Sequence, residues 1–145
     1  MIVFADSSAV VKLYADEQDH HLIREVESLV VSTLARVEVP AAIWRKHRMG
    51  ELDTADAAVL VAAFEADYHG SDDDQPRFGV VSVTAAVLDT AARFVSVHSL
   101  RAYDAVQLAS AAAAAEAIPA CRTVAAFNNT LRTAAAKEAF TLLPN

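Results

Sequence analysis

Ile2-Val3-Phe4-Ala5-Asp6-Ser7-Ser8-Ala9-Val10-Val11-Lys12-Leu13 opens the chain after its initial Met. Residues 2–5 are a short apolar run of the length of a buried strand. From Ser7 onward the apolar residues take a helical period. Asp6 stands at the junction, where it or Ser7 can cap the helix. A strand passing directly into a helix is the opening of a βα unit. In an open α/β sheet, the carboxyl end of such a strand is where ligands and metals bind.

The rest of the chain repeats the alternation. A helix is expected over 20–28, a strand over 29–32, and a long helix over 33–49 that stops at Gly50. Another helix follows over 53–68, then a polar loop, His69-Gly70-Ser71-Asp72-Asp73-Asp74-Gln75-Pro76. Beyond the loop come a strand over 80–83, helices over 84–95 and 100–117, a strand over 123–127, a helix over 129–137 and an edge strand over 140–143. Strands alternating with helices predict a parallel sheet covered on both faces. The Ala111–Ala115 run is a strong helix former and needs no role beyond close packing.

The 145 residues suit one domain with a proper core, and the 54% hydrophobic content is high. A net charge of −7 argues against a protein that coats nucleic acid non-specifically, but leaves room for a nuclease with local basic residues. Cys121 is the single cysteine, so no internal disulfide forms and a reducing compartment fits. The N-terminus has neither the basic stretch nor the apolar core of a signal peptide. Asp104, Gln107, Glu116 and Pro119 interrupt the apolar stretch from Tyr103 to Cys121, so no membrane span is expected. The cytoplasm is the expected location.

Two further acids stand out. Glu38 has Leu34, Ala41 and Ala42 as helical neighbours, and Asp104 shares a face with Leu100, Leu108 and Ala111. A carboxylate on such a face loses hydration unless a metal or an arginine compensates; Arg36 and Arg101 are the nearest arginines. The bland alternatives are an N-cap for Asp6 and a favourable first-turn acid for Asp104. Three carboxylates gathered at one sheet edge would hold a hard divalent cation such as Mg²⁺, suited to hydrolysing a phosphodiester. Asp53 and Asp56 begin a helix, Asp89 and Glu116 belong on solvated faces, and Asp72–Asp74 could at most bind a cation weakly. No zinc-binding histidine spacing occurs, and His20-His21 belongs at the surface.

On these residues the chain resembles the PIN-domain ribonucleases, specifically VapC-type toxins of toxin–antitoxin pairs. Val3-Phe4-Ala5-Asp6-Ser7-Ser8 resembles the family's first strand and first acid. Val31-Ser32-Thr33-Leu34-Ala35-Arg36-Val37-Glu38 resembles the second, and Arg101-Ala102-Tyr103-Asp104-Ala105-Val106-Gln107-Leu108 the third. The resemblance spans nearly the whole chain. It implies one PIN domain over 1–145, a three-layer α/β/α fold with a parallel sheet of four to five strands flanked by about seven helices. It also implies Mg²⁺ or Mn²⁺ held by Asp6, Glu38 and Asp104, endonucleolytic cleavage of RNA, a homodimer, and inhibition by a small VapB-type antitoxin whose C-terminal segment covers the acidic site.

One position departs from the family pattern. Where the family has Asp after a strand, this chain has Phe127-Asn128-Asn129-Thr130-Leu131. Asn128 can ligate a metal but is neutral and cannot act as a general base, so two-metal catalysis is put in question. The rival reading is a weak or inactive PIN module that binds an antitoxin and possibly RNA. A phosphatase or phospho-receiver using Asp6 ranks lower: Ser8 stands where haloacid-dehalogenase-type phosphatases carry a second Asp, and Asp6 has no acidic neighbour. Trp44-Arg45-Lys46-His47-Arg48 is the densest basic stretch. It favours the helix C-terminus, with Arg45 and Arg48 as secondary candidates for RNA phosphate. Arg36 and Arg101 lie nearer the acids, and Arg101 is the preferred contact for phosphate or for Asp104. Trp44 is expected in the core or at a dimer interface. Ser7 and Ser32 are candidates to position water.

Overall fold

A computed structural model describes all 145 residues. Five strands form one parallel sheet: β1 (Ile2–Ala5), β2 (Ser28–Ser32), β3 (Phe78–Val81), β4 (Thr123–Ala125) and β5 (Thr141–Leu143). Their order is β3-β2-β1-β4-β5. The chain therefore steps outward from β1 to β3, then returns to lay β4 on the other side of β1. That reversal makes the carboxyl ends of β1 and β4 the topological switch point of the sheet, where a crevice opens.

Alternation along each strand divides the core in two, because successive side chains point to opposite faces. Phe4, Val30 and Val124 face one layer, built on α5 (Ala85–His98), α6 (Ala102–Ala117) and α7 (Asn129–Lys137). Val3, Ala5, Leu29, Val31 and Ala125 face the other, built on α1 (Ser7–Val10), α2 (His20–Arg24), α3 (Ala35–Arg48) and α4 (Thr54–His69). Seven helices and five parallel strands make the three-layer, PIN-like α/β/α arrangement expected from the sequence. No helix is long and apolar enough to cross a membrane.

The boundaries differ from expectation where local signals compete. The first helix is one α-turn followed by a 3-10 turn over Val11–Leu13. The helix expected over 20–28 stops at Arg24, and Ser28 already pairs with Ile2. Strand β3 begins two residues early, at Phe78, because Gly79 pairs with Val30 despite lacking a side chain to pack. The long helix begins at Ala35, not Thr33: the Ser32 hydroxyl accepts the Leu34 amide at 3.1 Å and holds a turn there. Gly50 takes φ +80°, the left-handed conformation that ends α3 as its position suggested. Trp44 packs partly buried against the α3 layer.

Caps fix where the helices start. Asp53 accepts the Asp56 amide at 2.7 Å and begins α4. Asp53→Ala is expected to cost about 1 kcal/mol, lowering the melting temperature by roughly 2–4 °C. Calorimetry would register that change. Metal binding should be untouched, because α4 carries none of the candidate acids.

Candidate functional site

Asp6 follows β1 directly. Its amide continues the sheet by donating to the Ala125 carbonyl at 3.0 Å, so its position is fixed by β4 as well as β1. Its side chain caps α1: Oδ1 accepts the Ala9 amide at 3.0 Å and the Ser8 hydroxyl at 2.7 Å. The Ser8 oxygen in turn accepts the Phe127 amide at 3.2 Å, tying the loop after β4 to the first acid. Asp6 is therefore a cap and also a buried acid, only 4% exposed.

Glu38 lies in the first turn of α3 and is half-buried. Its Oε1 accepts from the Ser7 hydroxyl at 2.9 Å and the Gln107 side-chain amide at 2.7 Å. Asp104 lies in the first turn of α6, also half-buried. Its Oδ1 accepts from Nδ2 of Asn128 at 3.2 Å. The side-chain oxygen of Asn128, Oδ1, accepts the Leu131 amide at 2.9 Å, so Asn128 caps α7 and contacts the third acid at once.

The electrostatics are those of an uncompensated acidic site. Burial pushes the Asp6 carboxyl up from its ordinary 3.8 to about 7. The Ser8 hydroxyl and Ala9 amide favour its charged form but do not offset the desolvation, and the charges of Glu38 and Asp104 push the same way as burial. No lysine, arginine or histidine forms an ion pair with Asp6, Glu38 or Asp104; every ion pair lies elsewhere. The expected Arg101–Asp104 contact is therefore not made. Arg101 is exposed, and Arg36 sits 5.7 Å from the centre of the Tyr68 ring.

Each acid spends one oxygen on a protein donor: Oδ1 of Asp6, Oε1 of Glu38 and Oδ1 of Asp104. Oδ2 of Asp6, Oε2 of Glu38 and Oδ2 of Asp104 accept no protein hydrogen bond. The three are not drawn together into a ready-made ligand cluster, and no other group of three or more His, Cys, Asp or Glu side chains is either. Hard oxygen donors, a shared negative field and no competing side-chain cation fit a hard divalent ion.

Beside the site, a cleft is lined by Ser8, Lys12, Ala42, Arg45, Lys46 and Phe127, among others. Lys12 is buried, which the sequence reading missed. It donates to the Gln18 carbonyl at 2.6 Å, pairs with Glu17 at 3.4 Å and lies over the Phe127 ring. Lys46 also pairs with Glu17. Arg45, seven residues after Glu38 and so on the same face of α3, is exposed and enters no ion pair. Arg48 is exposed near the end of α3. Asp72–Asp74 form an exposed turn around the Ser71 hydroxyl. Asp89 and Glu116 are exposed as expected. Gln107 is the residue that sequence reasoning passed over. A lone amide in an Ala-rich helix, one turn after Asp104, was the available signal.

The fold and the position of this site at the β1–β4 switch point define an α/β protein of PIN-like architecture. Among solved structures, the chain is similar to the toxin VapC20 of Mycobacterium tuberculosis, described as cleaving the sarcin–ricin loop. The TM-score is 0.61 at 16% identity, over 91% of this chain and 94% of that one. It is also similar to FitAcB of Neisseria gonorrhoeae, with a TM-score of 0.58 at 15% identity, over 98% of this chain and 96% of that one. At such identities the likeness is one of fold. No protein-family model matches the sequence, and no curated protein sequence matches it.

Proposed function

We propose that this protein is a Mg²⁺- or Mn²⁺-dependent endoribonuclease, acting as the toxin of a toxin–antitoxin pair. The observation that carries the reading is Asp6: a buried carboxylate at the switch point that pairs with no lysine, arginine or histidine, in the field of Glu38 and Asp104. Its cap role explains one of its oxygens and leaves the other without a donor. The likeness to VapC20 supports the nuclease and toxin reading at the level of fold.

In this reading Asp6, Glu38 and Asp104 are the residues that would hold the metal, each with one carboxylate oxygen that accepts no protein hydrogen bond. A divalent ion bound there would neutralise charge on an RNA phosphodiester and activate water for its hydrolysis. The protein's own contribution is to orient the three acids: Ser8 and the Ala9 amide fix Asp6, Ser7 and Gln107 fix Glu38, and Asn128 fixes Asp104. Arg45 is the best placed of the four arginines to bind RNA phosphate, because it lines the cleft that reaches Ser8 and Phe127. Arg36, Arg48 and Arg101 are exposed and available to a longer strand. A VapB-type antitoxin would cover the same acids, supplying a basic group where the protein supplies none. Cytoplasmic location and a homodimer belong to the same reading.

Asn128 favours a second reading, a weak or inactive PIN module. Its amide donates to Asp104, and its oxygen is committed to capping α7, so it adds no charge to the site. One experiment separates the two. Purified protein incubated with structured RNA and millimolar Mn²⁺ should give discrete internal cuts that EDTA abolishes and excess Mn²⁺ restores. Intact RNA at every Mn²⁺ concentration would favour the inactive module.

A further inference from the structure

We propose that Gln107 is a positioning residue that, with the Ser7 hydroxyl, grips Oε1 of Glu38 and thereby presents Oε2 to a divalent ion. The inference rests on the metal-dependent reading above and adds how the second acid is oriented. Three elements meet at that oxygen. Ser7 of α1 donates to Glu38 Oε1 at 2.9 Å, and Gln107 of α6 donates to it at 2.7 Å and to the Ser7 oxygen at 3.1 Å. Gln107 is 3% exposed, and its own Oε1 is buried with no partner.

That orphaned acceptor is informative. The opposite orientation of the amide would aim its carbonyl oxygen at a carboxylate, so the charge of Glu38 fixes which end faces it. The amide is held by its two N–H groups alone, at the cost of an unsatisfied oxygen. A residue present only to fill space on α6 would not carry that cost; Leu108 and the neighbouring alanines fill theirs without it. A neutral donor also has a property that lysine or arginine lacks. It orients Glu38 without cancelling the charge that a metal needs. Gln107 follows Asp104 by one helical turn and Ser7 follows Asp6 directly, so the elements carrying the first and third acids also fix the second.

Hydrogen-bonding partners behind a metal-binding side chain are worth roughly 10–100-fold in affinity. Calorimetric titration of the intact protein with Mn²⁺ should show that loss in Gln107→Leu. The melting temperature of the metal-free variant should hold or rise, because a buried amide with an unpaired oxygen has gone. Should branched Leu prevent folding, Gln107→Met asks the same question with an unbranched side chain. In a Glu38→Gln background, Gln107→Leu should weaken Mn²⁺ binding no further, since the oxygen it holds no longer carries charge. Equal affinity in wild type and Gln107→Leu overturns the inference alone, as does a loss that persists in the Glu38→Gln background. A wild type that takes up no Mn²⁺ overturns the metal reading and this inference with it.

Discussion

Asp6→Asn is expected to make the metal-free protein more stable at pH 8 while removing its Mn²⁺-dependent cleavage. Asn caps a helix as well as Asp, so the bonds to Ala9 and Ser8 can persist and α1 should form unchanged. What disappears is a buried charge. The Asp6 carboxyl titrates near 7 in the folded protein and near 3.8 when unfolded. The folded state therefore keeps its proton as the pH rises from about 4 to about 7, while the unfolded state releases it. Stability is lost across that window and stays lost above it, by up to about 4 kcal/mol. The metal-free wild type should melt progressively lower than Asp6→Asn between pH 4 and pH 8. Saturating Mn²⁺ should close the gap at pH 8 and leave it nearly unchanged at pH 5, because the ion takes the carboxylate form. Cleavage by the variant should fall by roughly 10³-fold or more, the scale of several kcal/mol of lost charge stabilisation. Asp104→Asn should lose cleavage similarly with little change in fold. A variant cleaving RNA at the wild-type rate would remove that residue from the site. A wild type whose metal-free stability is flat from pH 4 to pH 8 would contradict the account of Asp6.

Asn128→Asp is expected to have the second largest effect, in the opposite sense for metal. The native amide donates to Asp104 while its oxygen caps α7. Asp preserves the cap but turns the donor into a second carboxylate at the same place. Loss of a hydrogen bond to a charged acceptor, together with the new repulsion, should cost about 2 kcal/mol in the metal-free state, or roughly 4–8 °C in melting temperature. Mn²⁺ should restore that stability. Calorimetry should then count two ions per chain in the variant and one in the wild type, since Asn128 at present does for Asp104 part of what a second cation would do. The cleavage rate decides between the two functional readings. Activity in both proteins supports a one-ion enzyme, and activity only in the variant supports the inactive module. Unchanged stoichiometry and an unchanged melting temperature would mean that Asn128 is a cap and nothing more.

Much of the candidate site was legible in the sequence because Asp6 directly follows a strand and Glu38 and Asp104 lie in the first turns of helices. Apolar residues ending in Asp6 and a helical period beginning at Ser7 determine both the strand and the position of the first acid. Glu38 and Asp104 were visible as charges among apolar helical neighbours, and both fall in first turns, half-buried at the site. The strand order that makes β1 and β4 neighbours arises from packing across the whole chain, yet the pairing of Asn128 with Asp104 depends on it. Lys12 shows a different gap. A lysine in an apolar stretch reads as a solvated charge, and only the loop that folds back with Gln18 and Glu17 buries it. Arg101 is not paired with Asp104: it stands at the N-cap of α6 with extended backbone, before the helix begins, and is exposed. Gln107 escaped because an amide carries no charge anomaly. Its importance lies in which atoms it touches, on residues 69 and 100 positions away.

The most direct test of the central claim is a crystal of the wild-type protein soaked in Mn²⁺ at neutral pH or above, with anomalous scattering recorded. The account predicts one strong peak in contact with Asp6, Glu38 and Asp104, with Gln107 still bonded to Glu38. An empty site at millimolar Mn²⁺, or a peak confined to the exposed Asp72–Asp74 turn, would contradict it.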